Sequence, residues 1–224
     1  MTALAIRPLF PPAWLLGGAC SKTIRFIDDI SVHVLASSGD CYAGAVESAS
    51  QSTPSIKVGD AIFGFGSAAR QIALKPASLT FEQAAQVVIP AITAWQMVCD
   101  HAVVRPEHRV LILGAHTPTG AYARQLAAVR GAEVFTTPGP RVDIVLDMLG
   151  RAAQRKVVPY IKPCGALFSS VEMLDPVISE ERHIRSAFVA PRISRALLSQ
   201  VHSLFDSGTL TFQPARAPCA PDLA

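Results

Sequence analysis

Between residues 110 and 135 the spacing of apolar positions changes twice. Val110-Leu111-Ile112-Leu113 is a continuous apolar run, short and partly β-branched, as in a strand buried on both faces of a parallel sheet. After Gly114 come small and polar residues as far as Gly120. Ala121, Ala123, Leu126 and Ala127 then recur at helical spacing, and Gly131 stands where a helix-ending glycine belongs. Ala132 to Phe135 reads as a second strand. The stretch therefore predicts a strand, a glycine turn, a helix and a strand.

The same reading extends in both directions. Downstream, Val142–Asp147 is a strand, residues 152–160 a helix and residues 165–170 another strand, which completes a second βαβ unit. Residues 183–190 predict one more strand, and 194–205 an amphipathic helix. Upstream, Val32–Leu35 and Tyr42–Val46 are strands around a glycine turn, and Val58-Gly59-Asp60 leads into a strand over Ala61–Phe65. Thr80 is placed to cap a helix that begins near Phe81, and a further helix is predicted from Ala91 to Cys99. Thr2–Ile6 has a strand pattern, cut off by Pro8, Pro11 and Pro12. The whole is an α/β protein with a β-rich N-terminal part.

One connection is unusually short. Only residues 136–141 separate the strand ending at Phe135 from the one starting at Val142. A crossover between adjacent parallel strands needs roughly ten to twelve residues. Either Pro138-Gly139 forms a type II turn and the strands make an antiparallel hairpin, or the linker stretches up to about 20 Å to a strand that is not a neighbour.

Composition narrows the class. Of 224 residues, 50% are hydrophobic and 17% charged, a globular balance. The net charge of +3 is spread along the chain, which argues against nucleic acid as a partner. The five cysteines, at 20, 41, 99, 164 and 219, include no C-x-x-C pair, so the expectation is free thiols in a reducing cytoplasm, with no metal. No apolar run has membrane-spanning length, and none resembles a leader peptide. Several of the 17 prolines crowd the last dozen residues and suggest a loose tail over 213–224.

The turn carries the candidate chemistry. Gly114 and Gly120 bracket Ala115, His116, Thr117, Pro118 and Thr119, close to the G-x-G-x-x-G fingerprint but without its middle glycine. Unpaired N–H groups and the positive dipole end of the following helix suit a pyrophosphate. By itself the motif also fits a plain βα turn. Tyr42 offers a phenol that could donate to a carbonyl or enolate, or else a core tyrosine with a satisfied hydroxyl.

Several segments in order resemble one family. Lys57-Val58-Gly59-Asp60-Ala61-Ile62-Phe63-Gly64-Phe65, Leu79–Ala85 and Ala91–Trp95, ahead of this βαβ unit, resemble the medium-chain dehydrogenase/reductase superfamily on its zinc-free, quinone-reductase-like side. Gly39-Asp40-Cys41-Tyr42-Ala43-Gly44 is similar to the G-C-D-Y-A-G segment of fungal trans-acting enoyl reductases of polyketide biosynthesis. His116-Thr117-Pro118-Thr119-Gly120 is similar to their S-T-A-T-G turn, Phe135-Thr136-Thr137 to their I-T-T, and Val142 to Gly150 to their V-D-x-V-L-D-x-x-G strand. The likeness runs well from Gly39 to Gly150 and loosely over 162–211. Cys41 stands where the family has aspartate, and Asp40 where it has cysteine.

The resemblance implies an abbreviated Rossmann-like nucleotide-binding domain over 86–212, after a small GroES-like domain over 1–85. It implies binding of NADPH, without zinc, by Gly114, His116, Thr117, Pro118, Thr119 and Gly120. Thr136, Thr137 and Arg141 would read the 2′-phosphate, and NADP is favoured because no acid stands at the strand end. Phe168 and Ser169 would run beside the nicotinamide. Thr93 would bind the carboxamide or the substrate carbonyl, unless it is bonded back to its own helix. Pro11–Trp14 echoes the family's cleft segment, and Lys22 would reach the same space or stay a solvated lysine. The implied substrate is an α,β-unsaturated acyl thioester on a carrier protein, or a small enone, with a polyketide synthase as partner. The helix, strand and helix that relatives carry between residues 135 and 142, and their closing helix and strand, are absent. That leaves open a cofactor-free relative acting as a cyclase, isomerase or accessory protein.

Overall fold

A computed structural model describes residues 22–25, 30–49, 56–66 and 71–214. The Thr2–Ile6 strand, the Pro11–Trp14 segment, the Lys22 side chain and the tail from 215 lie outside what it describes.

The first half forms an antiparallel sheet in sequential order: β1 (Lys22–Arg25), β2 (Ser31–Ser38), β3 (Cys41–Ser48), β4 (Ala61–Phe65) and β5 (Ile72–Leu74). Side chains alternate across its strands. Tyr42 and Val46 join Val32, Val34, Ile62 and Ile72 in a core on one face. Cys41, Ala43, Phe63 and Ala73 face the other way, toward the long helix α1 (Phe81–Trp95).

A reciprocal pair of bonds opens α1: Thr80 Oγ1 accepts from the Gln83 N–H (3.2 Å), and Gln83 Oε1 from the Thr80 N–H (3.0 Å). The break expected before Ala91 does not occur, because α1 runs unbroken through Pro90. Tertiary packing outweighs the lost backbone bond here: Ala84, Ala85, Val87, Val88, Ala91, Ile92 and Ala94 are all buried. The helix then widens into a π-helical turn, Gln96–His101. Its first residue, Gln96, clasps the backbone of Arg192, donating to the carbonyl and accepting from the N–H at 3.1 Å each.

The second half forms a parallel sheet of β6 (Arg109–Leu113), β7 (Glu133–Phe135), β8 (Val142–Asp147), β9 (Ile161–Ser169) and β10 (Arg185–Phe188), in the order β10-β9-β8-β6-β7. Helix α2 (Pro118–Val129) covers one face, setting Tyr122, Ala123 and Leu126 in the same core as Val110 and Ile112. Helix α3 (Arg151–Val157) covers the other, with Ala153 and Val157 beside Leu111, Val145 and Leu167. Helices α4 (Pro176–Glu181) and α5 (Arg195–Asp206) follow β9 and β10, with Ser194 capping α5.

The short linker resolves in favour of the stretched alternative. β7 and β8 both pair with β6 in parallel, one on each side. The antiparallel hairpin does not form. Instead of folding back at Pro138-Gly139, the linker ends at Arg141, whose carbonyl accepts from Nη1 of Arg109 at 3.2 Å. No described helix is long and apolar enough to cross a membrane.

Candidate functional site

The turn after β6 is drawn tight by Thr117. Its N–H donates to the Gly114 carbonyl (2.9 Å), and its hydroxyl donates to that same oxygen (2.8 Å) while accepting from the Gly120 N–H (3.1 Å). Gly114 has φ +78°, which only glycine adopts cheaply. A β-carbon on Gly120 would meet the Gly114 carbonyl oxygen at 2.2 Å, so this glycine lets α2 start against the strand end. Pro118, at the first helical position, has no N–H to offer. The Thr117 carbonyl takes the Ala121 N–H at 2.9 Å. Thr119 is left as the first-turn donor not used within the turn, at the positive end of the helix dipole.

A cleft of about 260 Å³ opens beside this turn, at the carboxyl end of β6 where the strand order reverses. Open parallel sheets place their ligands at such a point. Gly114, His116, Thr136, Thr137, Pro138 and Leu149 are among its lining residues. The structure thus brings the expected phosphate turn and the two threonines together. Arg141 is not with them. It precedes β8 and holds Arg109 at the start of β6, the opposite end of the sheet, so it cannot read a phosphate bound at the turn.

The remaining expected contacts are corrected by burial. Tyr42 is 2% exposed and sits in the core of the antiparallel sheet, on the face turned away from α1. Burial pushes its phenol far above the ordinary tyrosine range. It is a core tyrosine, because its neighbour Cys41 takes the α1-facing position. Thr93 is buried, and its hydroxyl donates to the Ile89 carbonyl one turn back at 2.8 Å, the local bond open to any helical threonine. Phe168 packs in the core, with the His101 ring 6.1 Å away and the Arg185 guanidinium 5.6 Å above it. Ser169 is wholly buried and its hydroxyl is fully used: it donates to Asp147 Oδ2 (2.7 Å) and accepts from the N–H groups of Val171 (3.1 Å) and Glu172 (3.2 Å).

Two features escaped the sequence reading. Asp147 is 0% exposed and accepts from Leu149, Gly150, Gln154 and Ser169, a network the V-D-x-V-L-D-x-x-G pattern marks only by its last aspartate and its glycine. A larger cleft of about 430 Å³ lies between the β2–β3 hairpin, α1 and the start of α2, lined by Ser37, Cys41, Gln86, Ile89, Pro118 and Phe212 among others. Cys41 reaches it because the exchange with Asp40 turns the thiol toward α1 and leaves Asp40 exposed in the turn. Among the described residues no group of three histidines, cysteines or acids could hold a metal.

No family model matches the sequence. The spectinabilin polyketide synthase system protein NorB of Streptomyces orinoci is 36% identical over 111 residues, 46% of this chain and 5% of NorB. The polyketide synthase GfsB of Streptomyces halstedii is 35% identical over 117 residues, 48% of this chain and 2% of GfsB. The chain therefore spans a small fraction of the length of these relatives. Among solved structures, an alcohol dehydrogenase superfamily protein from Novosphingobium aromaticivorans aligns with a TM-score of 0.67 at 23% identity, over 83% of this chain and 72% of that one. The quinone oxidoreductase from Coxiella burnetii gives 0.68 at 19%, over 82% and 70%. The CurK enoyl reductase gives 0.67 at 19%, over 78% and 69%. The fold is the one these solved structures share, a Rossmann-like parallel sheet beside a smaller antiparallel sheet.

The phosphate half of a dinucleotide would fit the space at this turn. The Gly120 position that a β-carbon would fill keeps the helix end close, and Gly114, His116, Thr136 and Thr137 line one cleft beside it.

Proposed function

We propose that this chain is an NADPH-dependent enoyl reductase of polyketide biosynthesis, saturating an α,β-unsaturated acyl thioester carried by a synthase's carrier protein. The observation that carries the reading is the Gly114–Gly120 turn, closed by Thr117 and opening onto the Thr136–Thr137 cleft. Support comes from the likeness to the polyketide synthases NorB and GfsB and from a fold shared with the CurK enoyl reductase. When bound, the cofactor supplies a hydride for the β-carbon. The chain holds its phosphates with the Thr119 N–H and the hydroxyls of Thr136 and Thr137, and these neutral donors favour the 2′-phosphate form. With Tyr42 in the core, the proton for the α-carbon comes from water.

Titration of NADPH and of NADH into purified protein, followed by nicotinamide fluorescence and thermal stability, tests the cofactor. Turnover of crotonyl thioesters, read as loss of nicotinamide absorbance, tests the reaction. Binding of NADPH with turnover is expected. No binding at millimolar cofactor sinks this reading. It would favour a second one, a cofactor-free relative working as a cyclase, isomerase or accessory protein, to which the burial of Tyr42, Thr93 and Ser169 points.

A further inference from the structure

Asp147 ends β8 with its carboxylate in five hydrogen bonds to three segments of chain. Oδ1 accepts from the N–H groups of Leu149 (2.9 Å) and Gly150 (3.1 Å). Oδ2 accepts from the Gly150 N–H (3.1 Å), Gln154 Nε2 of α3 (2.8 Å) and Ser169 Oγ of β9 (2.7 Å). The bonds continue outward. Ser169 Oγ holds the N–H groups of Val171 and Glu172, and Gln154 Nε2 also donates to the Glu172 carbonyl at 2.9 Å. One buried carboxylate thus fixes two turns, 148–150 after β8 and 170–172 after β9.

Those turns face the carboxyl edge of the sheet. Leu149 and Val171 project from them, 39% and 51% exposed, forming an apolar lip. Leu149 also walls the phosphate cleft: its Cδ2 lies 3.0 Å from where a β-carbon on Gly114 would stand. A ligand anchored at the phosphate turn and extending toward β9 runs along this lip.

We propose that Asp147 is the positioning residue for the nicotinamide half of the cofactor, holding the two turns in one register so that Leu149 and Val171 present a fixed platform to the ring. This rests on the nicotinamide reading above. Asp147 touches no ligand itself. It acts through the two turns, whereas the phosphate half is held by the 114–120 turn, which Asp147 does not bond and whose cleft Leu149 only walls.

The test compares two ligands on two variants. In Asp147→Asn neither orientation of the amide is satisfied, since an NH₂ group on either side meets two or three donors. Affinity for intact NADPH should fall at least about tenfold, the cost of buried donors left unpaired. Affinity for 2′-phospho-ADP-ribose, which ends before the nicotinamide, should stay within about twofold, as expected of separated sites. Gln154→Met, of similar size, should show the same selective loss at about threefold; it stands as the deciding variant if Asp147→Asn does not fold. Equal loss of both ligands, or loss of neither, in a folded variant overturns the proposal and reduces Asp147 to a structural residue. If the unaltered protein binds neither ligand, the nicotinamide reading fails and this one with it. If it binds both alike, the nicotinamide has no platform and this proposal alone fails.

Discussion

The carbonyl oxygen of Gly114 lies 2.2 Å from the point where a β-carbon on Gly120 would sit. Backbone cannot yield as a side-chain end does, so Gly120→Ala must push α2 away from the end of β6. The expected cost is about 1–3 kcal/mol of stability, seen as a lower urea midpoint with an unchanged slope. NADPH affinity should fall in the same variant. An unchanged midpoint would mean that the turn is not closed as described.

Cofactor choice separates the residues that sequence alone grouped together. Arg141 stands at the amino end of the sheet, tied through its carbonyl to Arg109. Arg141→Ala should therefore leave the ratio of NADPH to NADH affinity unchanged. Thr137→Val removes a hydroxyl beside the cleft and should lower that ratio about three- to tenfold. A ratio that moves with Arg141 and not with Thr137 would reverse the assignment.

Lys162 Nζ meets Asp143 Oδ1 at 2.7 Å, and the Arg109 N–H donates to Oδ2 at 2.9 Å. Burial raises the Asp143 carboxyl, but hydrogen bonds from Lys162 and Arg109, with the charges of Lys162 and His108, outweigh it and hold the group below its ordinary value. A depressed carboxyl stabilises the fold above its unfolded pKa, about 3.9, and the contribution fades as pH falls through the folded value. The pair is partly exposed, so Asp143→Asn should cost about 1 kcal/mol or less at neutral pH. The difference from the unaltered protein should shrink below about pH 4, measured by urea unfolding across that range.

Thiol chemistry should follow burial. Burial, with a smaller contribution from Asp40, pushes the Cys41 thiol up to about 11, against the lowering effect of an Ile89 backbone hydrogen bond. Cys164 is exposed. Since the thiolate is the nucleophile, iodoacetamide at mildly alkaline pH should modify Cys164 well before Cys41, read peptide by peptide by mass spectrometry. Cys41 should react only on unfolding. A raised thiol stabilises the fold below its unfolded pKa, about 8.5, and that contribution is lost as pH climbs toward 11.

The two central strands of the parallel sheet were legible from their nearly continuous apolar runs. Val142–Asp147 matches its predicted span, and Val110–Leu113 needs only Arg109 added. The cap Thr80 was legible for a local reason, since its hydroxyl takes the N–H three residues on. β1 and β5 were missed, being short strands that owe their shape to their neighbours. The geometry of the turn was legible, since it follows from glycine spacing, and the surroundings of Tyr42, Thr93 and Ser169 were not. Which face of a sheet meets a cleft, and whether a hydroxyl is already spoken for, are decided by packing. Arg141 was misplaced because distance along the chain says little once a linker crosses a sheet.

That linker has a consequence for how such a protein can shrink. Neighbouring parallel strands here are joined through helices: β6 to β7 by α2, β8 to β9 by α3, β9 to β10 by α4. Only β7 to β8, which flank a common strand, are joined by bare coil. The doubly wound order therefore has one seam at which a helix–strand–helix block can be cut out while every remaining strand keeps its partner. Evolutionary shortening, or a designer's scissors, can enter at residues 136–141 without unpicking the rest.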